Sequence, residues 1–494
     1  MTALWILAAI LALPLLVWVL RWNGEGWIPQ GDQAIIAFKT QDVFSGHPPV
    51  MGMRSTSANT VEASAAHHLG PMQFYLMAPF YAAFGWQPIG LLVGCAAMAA
   101  TFIAISVRQA WHVAKWPGVA LAVFCVVGVE LSMRAVLVLP WNPYPPTLGL
   151  VAVLITAWRL VRGGARALPW FIGTASFVLQ ANLYYVPVMA PLMLGLAGLG
   201  LLRWWRRRGT MWPLPGEGSA YDEEAIWQRP GILAIVVGLV CWAPSIAELF
   251  LYSPNNLEEL SALAGGTFPV VRILEAVAAV GVVALVAWWT MRRGRPSRAA
   301  AARCVAVLIG LGVGAAYVLG GSARAPYASM AWAAPYFMVG AFVWPVVGLR
   351  TRWWPRVNAR ALLGAGAVAA LVAGLLTAPS AAFASPGTAE QLGNSDTSRA
   401  TVDEAVKLID RRVMGTPPIE VLGGGVQSAF GDSPALMLEL AHRGYDTYMV
   451  RPWPNDEDDD MRSSKNAPPK RVVIVLHETK PIELIIPWEW PSRP

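Results

Sequence analysis

Apolar residues run along this chain in long blocks, not in the alternation of a half-buried strand. Blocks at about 2–20, 88–107, 117–138, 145–162, 167–181, 184–203, 231–251, 268–291, 303–320, 326–348 and 360–379 are long enough to cross or nearly cross a bilayer. They predict an α-helical polytopic membrane protein with about eleven transmembrane helices. One more apolar block, "HHLGPMQFYLMAPFYAAFGW" at 67–86, is short after Pro71 and is interrupted by Pro79. It predicts a juxtamembrane helix in the outer interface, not a twelfth span. From about residue 380 the pattern changes. "IEVLGGG" reads as a strand and turn, "SPALMLELAHRG" as a capped helix ending at Gly444, and "YDTYMVRP" and "RVVIVLHE" as strands. The chain thus divides into a transmembrane domain at 1–380, with a first outer loop at 21–87, and a small C-terminal α/β domain at 381–494.

Composition agrees with the blocks. Of 494 residues, 56% are hydrophobic and 14% charged, and the mean hydropathy is +0.48, which leaves too little polar surface for a soluble chain of this length. Cys95, Cys125, Cys241 and Cys304 all fall in or at the ends of apolar blocks, which argues against a disulfide framework or a zinc site. The first block lacks a basic start and a small-residue cleavage site, and reads as a retained anchor. Richness in Ala, Gly, Val, Arg and Trp points to a bacterial source.

The net charge of +7 suggests anionic partners until its placement is considered. After the second span, one set of short loops holds nineteen basic residues, and the alternate set holds only Arg324. The basic side is the cytoplasm. The distribution removes any need for a nucleic-acid partner, and it places the N-terminus inside and the C-terminal domain outside. The first loop is settled less directly, because Arg21, Lys39 and Arg54 slightly favour the inside and a crossing by 67–86 would put it there.

Charges within the spans are few: Glu130 with Arg134, Glu248, and Arg272 with Glu275. All lie in the outer half of the membrane. The spacings i, i+4 and i, i+3 allow each pair to share a helix face as an ion pair. Gln180, Asn182, Tyr184, Asn142 and Tyr144 gather at outer ends as well. A one-sided set of this kind implies a polar cavity open outward, and not a conduit through the full depth.

The first loop begins "GDQAIIAFKTQDV". Asp32 to Val43 can form a helix, with Asp32 at its start, where a carboxylate caps free N–H groups or serves as a base. Asp42 sits at the unfavourable end of the dipole, which leaves it as an acceptor contact. His47, Arg54, His67 and His68 are the other polar candidates in the loop. Adjacent histidines without a carboxylate partner are a poor chelate, so no metal site is expected, and nothing supports a divalent cation as cofactor. The acid run Asp456 to Asp460 reads as a solvated loop in preference to a calcium site.

These motifs resemble the GT-C superfamily of integral-membrane glycosyltransferases. The shared pattern is an N-terminal span and an outer loop opening on an acid (Gly31-Asp32). The "HHLGPMQFYLMAPF" stretch follows, then Phe84-Gly85 leading into the next span. The short loops "WNPYPP" and "QANLYYVP" and an extracytoplasmic C-terminal domain are also similar. The resemblance covers about residues 1–380. Many members carry a second acid beside the first, where this chain has Gln33. The resemblance implies a donor sugar on polyprenyl phosphate, with Asp32 as general base on the acceptor hydroxyl. It also implies cationic and hydroxyl groups for the leaving phosphate, here Arg54, His67, His68, Arg324 and Tyr327. Asp42, His47, Glu130, Arg134 and Arg272 would line the acceptor site or cavity. The implied activity is transfer of mannose or arabinose to a cell-envelope glycan or lipoglycan, at the bacterial cell membrane. The alternative is a lipid or polysaccharide transporter, which calls for broken helices near mid-membrane and paired repeats.

Overall fold

The computed structural model describes residues 2–55, 66–206, 230–264, 296–320, 333–350, 395–425, 428–449, 462, 466–478 and 480–487. The predicted spans at 268–291 and 360–379, and the domain boundary near 380, lie outside these residues. The described helices of the N-terminal part are α1 (Thr2–Gly24), α2 (Asp32–Asp42), α3 (Met72–Ala83), α4 (Pro88–Met133), α5 (Pro146–Val161), α6 (Leu168–Ala181), α7 (Tyr185–Arg206), α8 (Pro230–Leu251), α9 (Asn256–Ala264), α10 (Arg298–Gly320) and α11 (Ala333–Arg350). Five stretches among the described residues are long and apolar enough to cross a membrane, which makes this a multi-pass membrane protein.

The range of α4 contains two predicted spans. It breaks at Ala114 and Lys115, where Lys115 takes a φ of 54°. Pro117 explains the position of the break, because a proline at the second or third residue of the new helix has no N–H to lose. The Lys115 ammonium lies 5.0 Å from the Trp111 ring centroid. Helix α5 is apolar on every face and entirely buried, as expected of a helix at the centre of a bundle. Arginines tie the helix ends on the side where α5 terminates. Arg203 donates to Leu160 O and Val161 O at 3.2 and 2.7 Å, Arg162 to Pro296 O, and Arg159 to Gln109 Oε1 at 2.7 Å. Guanidinium groups there answer the unpaired carbonyls and the negative end of the dipole.

At 12 residues, α3 reaches about 18 Å and cannot span the ~30 Å hydrocarbon layer. It runs antiparallel to the start of α4, close enough that a Cβ at Gly90 would meet Tyr81 Cα at 2.8 Å and one at Gly94 would meet Met77 Cα at 3.3 Å. Small residues permit that backbone approach.

The tail contributes α12 (Ser395–Arg412), β1 (Ile419–Gly423), α13 (Ser433–His442), β2 (Thr447–Met449), β3 (Val472–Leu476) and β4 (Glu483–Ile485). The sheet order is β2-β1-β3-β4. β1 pairs parallel with β2 and β3, and β4 is antiparallel to β3. The apolar runs at 419–422 and 472–476 are the two central strands, as parallel pairing under helices requires. The acid run 456–460 lies outside the described residues. The sheet's helix α13 packs on α2, and Gly31 N donates to Gly431 O at 3.0 Å. The first loop and the tail therefore sit on one side of the bundle, called the tail side below.

Candidate active site

The first loop folds back on itself. Gly52, Met53 and Ser55 exchange backbone hydrogen bonds with His68 and Ala66, and Arg54 and His67 form an antiparallel bridge. This short ladder leads from α2 to α3. The N-cap of α2 is Gly31, with φ 53° and ψ −131°, a conformation that strains any residue with a Cβ. The cap is thus backbone, and Asp32 occupies the first helical position. Its Oδ2 accepts a hydrogen bond from Trp141 Nε1 at 3.0 Å. The carboxylate is only partly buried, held by an indole from the "WNPYPP" loop and reachable from outside the fold.

Amides brace the loop that carries Trp141. Gln73, on α3, donates Nε2 to Pro140 O at 2.5 Å, one residue before Trp141. That bond fixes the amide, and Gln73 Oε1 is left buried without a partner among the described residues, as is Gln33 Oε1 beside Asp32. Asn142 donates to Ala181 O at 3.3 Å, joining this loop to the end of α6. Buried acceptors without a partner suit a ligand that donates hydrogen bonds.

A second polar cluster lies beyond the ladder. His67 N donates to Asn256 Oδ1 at 2.8 Å, and Asn256 N donates to Glu248 Oε1 at 2.7 Å. His68 Nδ1 accepts from Leu183 N at 3.1 Å, so the ring proton resides on Nε2. Burial, with His67 beside it, pushes the His68 imidazole down to about 3. His68 is thus a neutral donor and not the cation expected for a phosphate. The proton uptake missing from the folded ring has a consequence. Between pH 3 and 6.5 the unfolded chain binds the proton and the folded one does not, so stability falls as pH drops through that window. Acidification from pH 7 to 4 is expected to lower the protection factor at the Leu183 amide, its exchange being divided by the intrinsic rate, which itself slows with falling pH. In His68→Asn, whose Oδ1 keeps the acceptor without titrating, that loss of protection is expected to shrink. Equal acid sensitivity in both proteins would refute the assignment.

A groove of about 490 Å³ opens between α3, α4, α6 and α8, with Met72, Leu76, Phe80, Thr101, Trp170 and Val237 among its lining residues. Trp170 in its lining carries Arg108 at 5.6 Å from its ring centroid. Met72, also in the lining, donates its N–H to Gln180 Oε1 at 3.2 Å. The next residue in the chain, Gln73, is the amide bonded to Pro140 O, one residue before the indole that holds Asp32.

The remaining candidates distribute as follows. Arg324, Tyr327 and Arg272 lie outside the described residues. His47 is exposed in a turn, with its N–H on Ser45 Oγ at 3.0 Å, and does not join the Asp32 cluster. Glu130 and Arg134 do not pair. Arg134 takes a φ of 53° where α4 ends, which swings it off the helix face, and its Nε donates to Leu131 O at 3.3 Å. Both Glu130 carboxyl oxygens are buried without a partner among the described residues. Asp42 is held by Arg462 of the tail, which donates to both its oxygens at 2.8 Å. Trp141, Gln33, Gln73 and Arg462 were not singled out from sequence. Lys39, 2% exposed, lies two turns from Asp32 on the same helix. Its place directly after the apolar run Ile35–Phe38 is the one local signal of its burial.

No protein-family model matches the chain, and no curated protein matches it in sequence. Two solved structures are similar to it. One is ArnT from Cupriavidus metallidurans bound to undecaprenyl phosphate, at 14% identity and a TM-score of 0.46. The other is the same protein in the apo state, at 15% identity and a TM-score of 0.47. Each covers 94% of this chain and 92% of that one.

Proposed function

We propose that this chain is a GT-C-type glycosyltransferase. It moves a sugar, mannose or arabinose, from polyprenyl phosphate to an extracytoplasmic cell-envelope glycan or lipoglycan, with Asp32 as general base. The observation that carries the reading is a partly buried carboxylate, Asp32, oriented by Trp141 Nε1 at 3.0 Å in a helical membrane bundle that also presents an apolar groove lined by Met72, the neighbour of Gln73 in the chain. A donor with a long hydrocarbon tail and a hydrophilic sugar needs both environments. The orphaned oxygens of Gln33 and Gln73 can accept hydrogen bonds from sugar hydroxyls and would repel a phosphate, so the phosphate falls elsewhere. Arg54 and the neutral donor His68 Nε2–H lie on the ladder, and Arg324 and Tyr327 complete the proposed phosphate set. In inverting transfer, Asp32 takes the proton of the attacking hydroxyl as the bond from the sugar C1 to the lipid phosphate breaks.

The test is incubation of the purified protein with labelled polyprenyl-phosphate sugars, mannosyl and arabinosyl first, and with envelope glycan and lipoglycan acceptors. Label is expected to pass from at least one donor to an acceptor. No transfer from any donor, in membranes where the protein is folded, would reject the reading.

A further inference from the structure

We propose that the tail is a clamp on the helix that carries the catalytic acid, and that Arg462 is a positioning residue for Asp32. The inference rests on the transferase reading of Asp32 and adds a role for the tail in it. Helix α2 has only 11 residues, too few to hold its shape in isolation, and it is flanked by loops on both sides. Its orientation is therefore set by what grips it.

The tail grips it at both ends. At the C-terminal end, the Arg462 guanidinium bonds both Asp42 oxygens at 2.8 Å and lies 4.3 Å from the Phe38 ring centroid. The two charged side chains are 18% and 11% exposed, so this is a largely desolvated fork and not a surface contact. Gln41 Nε2 meets His442 Nε2 at 2.9 Å. At the N-terminal end, Gly31 N donates to Gly431 O at 3.0 Å, and Arg399 donates to Gly26 O on the approach to the helix.

The placement of Asp42 gives the clamp its physical reason. A carboxylate on the last residue of a helix faces the negative end of the dipole, and burial makes the position worse. Without its cation, Asp42 would pull the end of α2 out toward water. Asp32 lies at the opposite end of the same rigid rod, so rotation of α2 about its axis would carry the carboxylate off Trp141 Nε1. Arg462 thus acts on Asp32 through Asp42 and the helix.

The experiment uses the full chain in lipid nanodiscs, with two readouts. Hydrogen exchange over 32–42 reports the clamp without any turnover. In Arg462→Ala, exchange there is expected to rise by about tenfold or more, as local opening becomes easier. The charge-reversed pair Asp42→Arg with Arg462→Asp is expected to restore it. For transfer from polyprenyl-phosphate sugar, Arg462→Ala is expected to lower kcat by about tenfold or more, as misplacement of a reacting group does. Donor KM is expected to stay near the wild-type value, and the reversed pair to recover kcat. Arg462→Lys keeps the charge but not the fork and is expected to fall between. Unchanged exchange in both Arg462→Ala and Asp42→Ala would overturn the clamp. Loosened α2 with undiminished kcat would overturn the positioning role. A wild-type chain inactive toward every donor, with α2 loosened in Arg462→Ala, would remove the transferase reading and leave the clamp supported.

Discussion

Asp32→Asn is expected to fold and to bind lipid donor, and to transfer sugar about 10² to 10⁴ times more slowly than the wild-type chain. Asp32 makes no capping bond that Asn would lose, because the N-cap is Gly31, and the Asn Oδ1 can still accept from Trp141 Nε1, the contact that holds Asp32 at 3.0 Å. The amide removes one property, the capacity to take a proton at neutral pH. Transfer is measured with the labelled donor, and folding by thermal unfolding in the same nanodiscs. Trp141→Phe is the companion variant. It keeps the carboxylate and removes the indole N–H that orients it, so its rate is expected to lie between the two. Transfer near the wild-type rate in Asp32→Asn would leave Asp32 as a structural residue and move the base elsewhere.

The second large effect concerns the groove. Thr101 lines it from α4, and its hydroxyl bonds only within its own helix, to Ala97 O at 2.8 Å. Thr101→Trp is therefore expected to fill the channel with little cost to the bundle. With a full-length polyprenyl donor, kcat/KM is expected to fall on the order of 10- to 100-fold, because a displaced tail misplaces the sugar at Asp32. With a donor carrying only two isoprenyl units the loss is expected to be small, since a short tail does not reach Thr101. The informative quantity is the ratio of the two losses. Hydrocarbon gains little by moving from lipid into an apolar groove, so the groove acts by alignment and not by affinity. Equal losses for long and short donors would mean that the substitution acts through the fold, and no loss for either would mean that the lipid runs elsewhere.

Much of the architecture was readable from local pattern. Apolar runs such as 2–20 and 184–203 are α1 and α7 almost to their ends, because a helix in lipid must satisfy its own backbone and be apolar throughout. The β-branched run at 472–476 is a central strand. The α3 segment shows where local reading stopped. Its length and Pro79 argue against a span, yet nothing local indicated that it would stack against Gly90 and Gly94.

The site was legible in one residue and hidden in the rest. Asp32 stood out because a carboxylate opening the first polar segment after a membrane helix is costly to place without a purpose. Its partner Trp141 is 109 residues away, and Arg462 reaches Asp42 across 420. Composition and periodicity report how much of a segment is buried, not which polar groups meet once it is. The i, i+4 spacing of Glu130 and Arg134 promised an ion pair that a single left-handed residue at the end of α4 removed. His68 was read as a cation by residue type, and burial at its place in the fold made it neutral. The sequence by itself determined what had to be in the membrane and which acid was worth watching. The tertiary structure alone decided charge states and pairings, because both depend on desolvation and on contacts between segments far apart in the chain.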